Sequence, residues 1–264
     1  MTNPRIVALA NHKGGVGKTT TTINLAAALV ALGFKVLVID MDPQANASLA
    51  LNPAVGDYTL AEVLTVDPQT QEVVHGSAAS AIVPASEAWP AGLDVLPGSI
   101  ASAAREAEQW EAREYRLRLA CQGALDPYDY VLLDLPPSLA QLTINALTLA
   151  DQVWTVTSPA FFSAHGIGLL MSTIERVQRF YNPALELGPI LVNDFDGRTN
   201  EAKFRLDEIQ AAYPGSVYDP PCSRATVIAK AGGALHPLTA YGAEGAASAA
   251  WYTDLAKNRL GAAA

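Results

Sequence analysis

The stretch Asn11-His12-Lys13-Gly14-Gly15-Val16-Gly17-Lys18-Thr19-Thr20 decides the fold. Before it, Arg5-Ile6-Val7-Ala8-Leu9-Ala10 is an apolar run of strand length, and after it Thr21 to Leu32 has the apolar periodicity of a helix. A strand, a glycine-rich turn and a helix make the setting in which a loop wraps a phosphate chain. Gly14, Gly15 and Gly17 let the backbone come close and take positive φ where the turn needs it. Successive N–H groups and the N-terminus of the helix then form an anion site. Lys18 places a cation on the outer phosphates and the Thr19 hydroxyl is a magnesium ligand, with Val16 and Thr20 completing the loop. The spacing is tighter than Gly-x-x-x-x-Gly-Lys-Thr and adds a second lysine, Lys13, at its start.

Outward from the loop, two more apolar runs end in acids. Lys35 to Asp40 is a buried strand that runs into Asp40-Met41-Asp42-Pro43-Gln44, with Gly33 as C-cap of the helix before it. Tyr130-Val131-Leu132-Leu133-Asp134 is a second, followed by Leu135-Pro136-Pro137-Ser138. Carboxylates at the C-terminal edge of parallel strands beside a phosphate loop suit a metal ion or an attacking water. Asp134 therefore reads as a magnesium residue, acting through water. Further strands are expected at 81–84, 93–97, 152–157, 187–192 and 216–218. Further helices are expected at 60–64, from Gly98 to about Cys121, at 141–149, from the Ser158–Gly166 segment to Tyr181, at 201–213 and at 246–260. Pro53, Gly56, Pro68 and Gly76 punctuate a loop between Leu51 and Gly76. The 98–121 helix carries charges at i,i+3 and i,i+4, including Glu114 with Arg118, which reads as a solvated face. Alternating strands and helices imply an α/β fold, a mostly parallel doubly wound sheet with helices on both faces. One domain over 1–264 is the expected organisation.

The 264 residues are half hydrophobic, enough for a large core, and carry a net charge of −9. Cys121 and Cys222 have no metal-ligand spacing, so a reducing cytoplasm is the default compartment. No signal peptide and no apolar run of bilayer-spanning length is present. The acidic balance argues mildly against strong DNA binding without excluding a local basic patch.

The segment Lys13–Thr20 resembles the deviant Walker A loop of the ParA/MinD family of P-loop ATPases. Asp40-x-Asp42-Pro43-Gln44 and Asp134-x-Pro136-Pro137 resemble two further motifs of that family, and the likeness spans essentially the whole chain, weakly after Gly215. The resemblance implies ATP and Mg²⁺ as cofactors and a homodimer closed around two nucleotides, with Lys13 crossing to the nucleotide of the other subunit. It implies that Asp42 orients or activates the attacking water, that Asp40 supports the metal shell, and that the Pro136-Pro137 segment senses the γ-phosphate. Asn193 at a strand end, and Pro221 in Asp219-Pro220-Pro221-Cys222, match places where relatives approach the adenine; a simple turn Asn is the other reading of Asn193. No Asn-Lys-x-Asp signature for guanine is present, which favours ATP.

Within that family the chain resembles the ParA/Soj-type partition ATPases. This implies nonspecific DNA binding in the ATP state, stimulation by a ParB-type centromere-binding partner, a plasmid or chromosome as cargo, and association with the nucleoid. The chain opens directly on its first strand, so an N-terminal helix-turn-helix is not expected. Between Glu175 and Lys230 seven bases face eight acids. The DNA surface is expected at Arg198, Lys203, Arg205 and Arg224, gathered only by folding. A MinD-like membrane ATPase would need a basic amphipathic C-terminal helix, and the tail offers only Lys257 and Arg259. An electron carrier of the nitrogenase-reductase kind would need cysteines at a cluster interface, which Cys121 and Cys222 do not supply. A nucleotide-gated scaffold that positions membrane or protein cargo without touching DNA is the alternative.

Overall fold

A computed structural model describes residues 3–54, 56–67, 73–161 and 164–262. Pro68, the Phe162-Ser163 pair and the end of the alanine tail at 263–264 fall outside these ranges. The strands are β1 (Arg5–Ala10), β2 (Val36–Asp40), β3 (Val83–Pro84), β4 (Leu93–Leu96), β5 (Tyr130–Asp134), β6 (Gln152–Thr157) and β7 (Glu186–Val192). The helices are α1 (Lys18–Ala31), α2 (Asn46–Leu51), α3 (Leu60–Val63), α4 (Ala104–Ala107), α5 (Arg116–Ala120), α6 (Gln141–Leu149), α7 (Ala164–Phe180), α8 (Asn200–Ala212), α9 (Thr226–Ala234) and α10 (Gly242–Leu260).

The strands form one sheet in the order β3-β4-β2-β5-β1-β6-β7, parallel throughout except for the short β3. The expected architecture is the observed one. Parallel strands buried on both faces read as continuous apolar runs, and β1 divides its run by the two-residue period of the pleat. Ile6, Ala8 and Ala10 point into a core with residues of α3, α5, α6 and α7. Val7 and Leu9 point into the opposite core with α1, α2, α9 and α10. From β1 the chain crosses over β5 to reach β2, and from β5 it crosses over β1 to reach β6. This reversal opens a crevice at the C-terminal ends of β1 and β5, where ligands of such sheets bind. Register brings three acid-bearing and loop-bearing ends level: Leu9 lies opposite Asp134, and Asp40 opposite Asp134.

Four expectations change. The helix from Gly98 to Cys121 is broken into a short 3-10 turn, α4, a second 3-10 turn and α5. Glu108 leaves the helix extended (ψ 136) and Ala112 takes φ 54. The reason is tertiary: Glu108 accepts from both Arg105 and Arg116, and eight residues of straight helix would hold 108 and 116 about 12 Å apart along the axis. The break also folds Trp110 onto the core. Glu114 pairs with Arg113 at 3.4 Å rather than with Arg118. The 216–218 strand is a single bridge from Val217 to Ile190, and the 81–84 strand shortens to Val83–Pro84.

Candidate nucleotide site at the carboxyl edge of the sheet

The loop of residues 11–17 is anchored at both ends before it presents anything. Asn11 donates to the Val156 carbonyl of β6 at 2.7 Å and accepts the Lys13 N–H at 3.0 Å. Gly15 and Gly17 take φ of 75 and 89, the left-handed region that glycine enters at least cost. Gly17 caps α1 with no side chain of its own, so the first amides of that helix are left for another acceptor. Beneath it lies Asn193 at the end of β7. Its amide donates to the Val16 and Gly17 carbonyls, each at 3.3 Å, and to the Thr21 hydroxyl at 2.9 Å. The side-chain oxygen of Asn193 is buried without a partner.

Lys18 is 7% exposed and folds back to donate to the Lys13 carbonyl at 3.2 Å. Burial lowers its pKa, against the pull of Asp134 and Asp42. A buried ammonium on a carbonyl, near two carboxylates, is a cation placed where an anionic group can be bound. Lys13 itself is half-buried at the mouth of the loop.

Asp134 is wholly buried at the end of β5. One oxygen accepts from Thr19 at 2.7 Å and the other from Thr22 at 3.0 Å. Burial, and then the neighbouring Asp40, push it up to about 7 despite those hydrogen bonds and Lys18. Asp40, also wholly buried, is pushed up to about 6, chiefly by burial. Its oxygens take the Ser48 N–H at 2.8 Å, the Ser48 hydroxyl at 2.7 Å and the Asp42 N–H at 3.2 Å. α2 has no side-chain cap of its own, and Asp40 accepts the N–H of its third residue instead. Asp42, 8% exposed, turns its carboxylate to the Gln44 N–H at 2.9 Å.

Two cavities flank the loop. One, of about 490 Å³, has Gly14, Lys18, Thr19, Asp42 and Pro137 among its walls. The other, of about 430 Å³, runs from Gly15–Gly17 past Asn193 to Cys222–Ala225 and the near face of α9. The first holds Lys18 and Asp42 against the loop, and the second adds Ile228, Ala229 and Tyr252 to the polar Asn193, Asp194 and Arg224, so a phosphate chain and a flat base have walls on either side of one loop. Pro221 is half-buried one residue before the part of its loop that lines the second cavity. Burial pushes the Cys222 thiol up to about 11, so it packs as an inert side chain.

The four bases expected to meet DNA are distributed as follows. Arg198 forms a two-pronged pair with Asp196, both contacts at 2.8 Å, and Arg224 a two-pronged pair with Asp194 at 2.8 and 2.7 Å. Both carboxylates and Arg198 lie in the loop after β7, which Arg224 reaches from the segment before α9. Arg205 pairs with Glu208 on α8 at 2.8 Å, and Lys203 stands exposed on the same helix. Three residues of the site carried no expectation. Thr22 sits one turn from Thr19 on the same face of α1, so its spacing signalled it. Ser48 meets Asp40 because α2 starts just beyond β2, and Gly98 reaches that pair because the sheet places β4 beside β2.

Among the described residues no helix is long and apolar enough to cross a membrane, and no cluster of His, Cys, Asp and Glu is arranged to hold a metal by itself. The chain matches a protein-family model described as an AAA domain over residues 4–187. It is similar to the chromosome partitioning protein ParA of Caulobacter vibrioides, 39% identical over 97% of this chain and 94% of that one. It is also similar to the sporulation initiation inhibitor protein Soj of Bacillus subtilis, 33% identical over 96% and 97% of the two chains. Among solved structures it resembles a Mycobacterium smegmatis protein described as cobyrinic acid a,c-diamide synthase with bound ADP and magnesium. That match has a TM-score of 0.78 and 31% identity over 96% and 95% of the chains. The ATP complex of a Cyanothece McdA variant shares the fold at a TM-score of 0.82, with 18% identity over 99% and 98%.

Proposed function

Because the chain belongs to the ParA/Soj family of partition ATPases, the P-loop NTPases with an AAA-domain signature, we propose that it is an ATP-hydrolysing switch for plasmid or chromosome partition. It dimerises around ATP and Mg²⁺, binds DNA nonspecifically in that state and is reset by a ParB-type partner. The observation that carries this reading is the convergence of Lys18, Thr19 and Asp134 beneath a glycine loop with Asp42 at the same cavity wall.

The donor set suits ATP·Mg²⁺. A threonine hydroxyl and a carboxylate, already in contact, are hard oxygen donors of the kind a magnesium ion takes with phosphate and water. The buried ammonium of Lys18 and the uncapped start of α1 suit the phosphates. The ion, when bound, neutralises charge on the phosphate oxygens. In the proposed reaction Lys18 and the N–H groups of residues 14–20 hold the phosphates. Thr19 and Asp134 would hold the metal, with Asp40 supporting them. Asp42 accepts a hydrogen bond from the attacking water and orients it. Lys13 reaches from one subunit to the γ-phosphate held by the other, a role that adds about 10³–10⁵ to the rate where an arginine finger plays it. Asn193 and the Pro221 loop flank the base, and the segment after Asp134 senses the γ-phosphate. The whole chain acts as one ATPase domain, in the cytoplasm and on the nucleoid.

The pairing of Arg198, Arg224 and Arg205 with carboxylates, together with the net charge of −9, favours a second reading in which cargo is a protein assembly or membrane and DNA is not touched. Exposed ion pairs are worth about 0–1 kcal/mol, so DNA phosphates could displace the carboxylates, and the partition reading stands ahead. Light scattering on Asp42→Ala decides between them. The partition switch gives a dimer with ATP·Mg²⁺, a monomer with ADP, and retention on random DNA that falls steeply with salt. A dimer that ignores DNA at every salt concentration would support the second reading.

A further inference from the structure

Asp40 is wholly buried, and its hydrogen bonds come from the backbone of Asp42 and from Ser48 on α2. Its Oδ1 accepts the backbone N–H of Asp42 at 3.2 Å. Its Oδ2 accepts the N–H and hydroxyl of Ser48 at 2.8 and 2.7 Å. The Ser48 oxygen in turn accepts the N–H of Gly98, at the turn after β4, at 2.8 Å. A hydroxyl has one proton to give, and this one gives it to Asp40 while taking another from Gly98, so its orientation is settled on both sides. Gly98 has to come this close. A Cβ there would lie 2.9 Å from the Asp40 carboxyl carbon, 2.9 Å from the Asp40 carbonyl and 3.1 Å from the Asp42 carbonyl, mostly backbone that cannot yield. Three segments, the end of β2, the first turn of α2 and the turn after β4, are thus tied at one hydroxyl. Behind Asp42 the turn is closed by the Ala45 N–H on the Asp42 carbonyl at 2.8 Å.

We infer that Ser48 is a positioning residue for Asp42, acting through Asp40. The inference rests on the reading of Asp42 as the group that orients the attacking water. Asp40 decides where the Asp42 backbone leaves the strand, and Ser48 with Gly98 decides where the Asp40 carboxylate sits. Removing the hydroxyl takes one of three donors from Asp40 and leaves the Gly98 N–H without its acceptor. Thr19 and Thr22 are tied to Asp134 and Lys18 to the Lys13 carbonyl, none of them to Ser48, and Asp40 only supports the metal residues. Loss of Ser48 therefore reaches the hydrolytic step and spares nucleotide binding.

The test compares wild type with Ser48→Ala, Ser48→Thr and Gly98→Ala. It reads steady-state ATP hydrolysis, affinity for a non-hydrolysable ATP analogue, and amide hydrogen exchange in residues 39–50 and 95–101. Ser48→Ala and Gly98→Ala are expected to lower kcat by about 10- to 100-fold, the scale of a misplacement near 1 Å, with KM and analogue affinity within about threefold. Exchange at Asp42 and Gly98 speeds up, and Ser48→Thr, which keeps the hydroxyl, restores rate and protection. Ser48→Ala with wild-type turnover and wild-type exchange overturns the inference. So does a Ser48→Ala protein that loses analogue binding along with turnover, which marks a folding residue. If wild type itself does not hydrolyse ATP, the reading of Asp42 fails, and exchange alone then judges the tie: unchanged protection at Asp42 and Gly98 in Ser48→Ala overturns it.

Discussion

Gly17 shows how narrowly single residues are constrained around the loop. It needs φ 89, and a Cβ would lie 2.7 Å from the Asn193 amide nitrogen that braces its own carbonyl. Gly17→Ala is therefore expected to lose nucleotide binding by at least about tenfold in calorimetric titration, because the brace and the turn cannot both be kept. Lys18→Ala should abolish binding in the same titration, since no other buried cation faces Asp134 and Asp42 among the described residues. Lys13→Ala is a different case. Lys13 is half-buried at the rim, so some binding should remain while turnover and the ATP-dependent dimer mass are lost. Hydrolysis and mass both unchanged would remove the role in trans. All three positions were legible in the sequence because loop chemistry needs glycines, lysines and a hydroxyl at fixed intervals along one short segment.

At the level of elements, α10 depends on contact that no periodicity announces. Gly245 in its first turns lies so close to residues 238–241 that a Cβ would stand 2.1 Å from the Leu238 carbonyl. Alanine is normally better than glycine in a helix by about 1 kcal/mol. Here the clash should win, and Gly245→Ala is expected to destabilise by about 1–3 kcal/mol net, read by urea unfolding. The broken 98–121 segment teaches the same lesson in reverse. Its charges suit a continuous solvated helix, but Arg116 is 3% exposed and spends itself on Glu108. Packing of Trp110 on the core and the pairing of Glu108 with both Arg105 and Arg116 outweigh the few tenths of a kcal/mol that i,i+4 pairs supply.

For the molecule as a whole, the paired carboxylates at the strand ends set a pH dependence. Asp134 and Asp40 are raised, chiefly by burial, to about 7 and about 6, whereas an unfolded Asp titrates near about 4. Between those limits the folded chain keeps protons on these two groups that the unfolded chain has released, so the stability they contribute is full below about pH 4 and is lost as pH rises to about 7. The nucleotide-free protein should melt at a lower temperature at pH 7.5 than at pH 5 by scanning calorimetry. Asp134→Asn should flatten that drop. ATP·Mg²⁺ should also flatten it by holding the ionised carboxylate. An unchanged pH slope in Asp134→Asn would mean that another group governs it.

The sequence alone determined the doubly wound sheet, six of its strands to within one residue at either end, and the loop, the two acidic strand ends and the family. Those features are local: a phosphate loop, an apolar strand ending in an acid and a helix period each reside within ten or fifteen consecutive residues. The tertiary structure decided what depends on pairs far apart in the chain. It set Asp40 level with Asp134 across adjacent strands, brought Gly98 to Ser48, seated Asn193 beneath a loop 177 residues away, and broke a helix to bury Arg116. Strand order creates those neighbours, and strand order follows from how two apolar faces of one sheet are covered at once, which no single segment encodes.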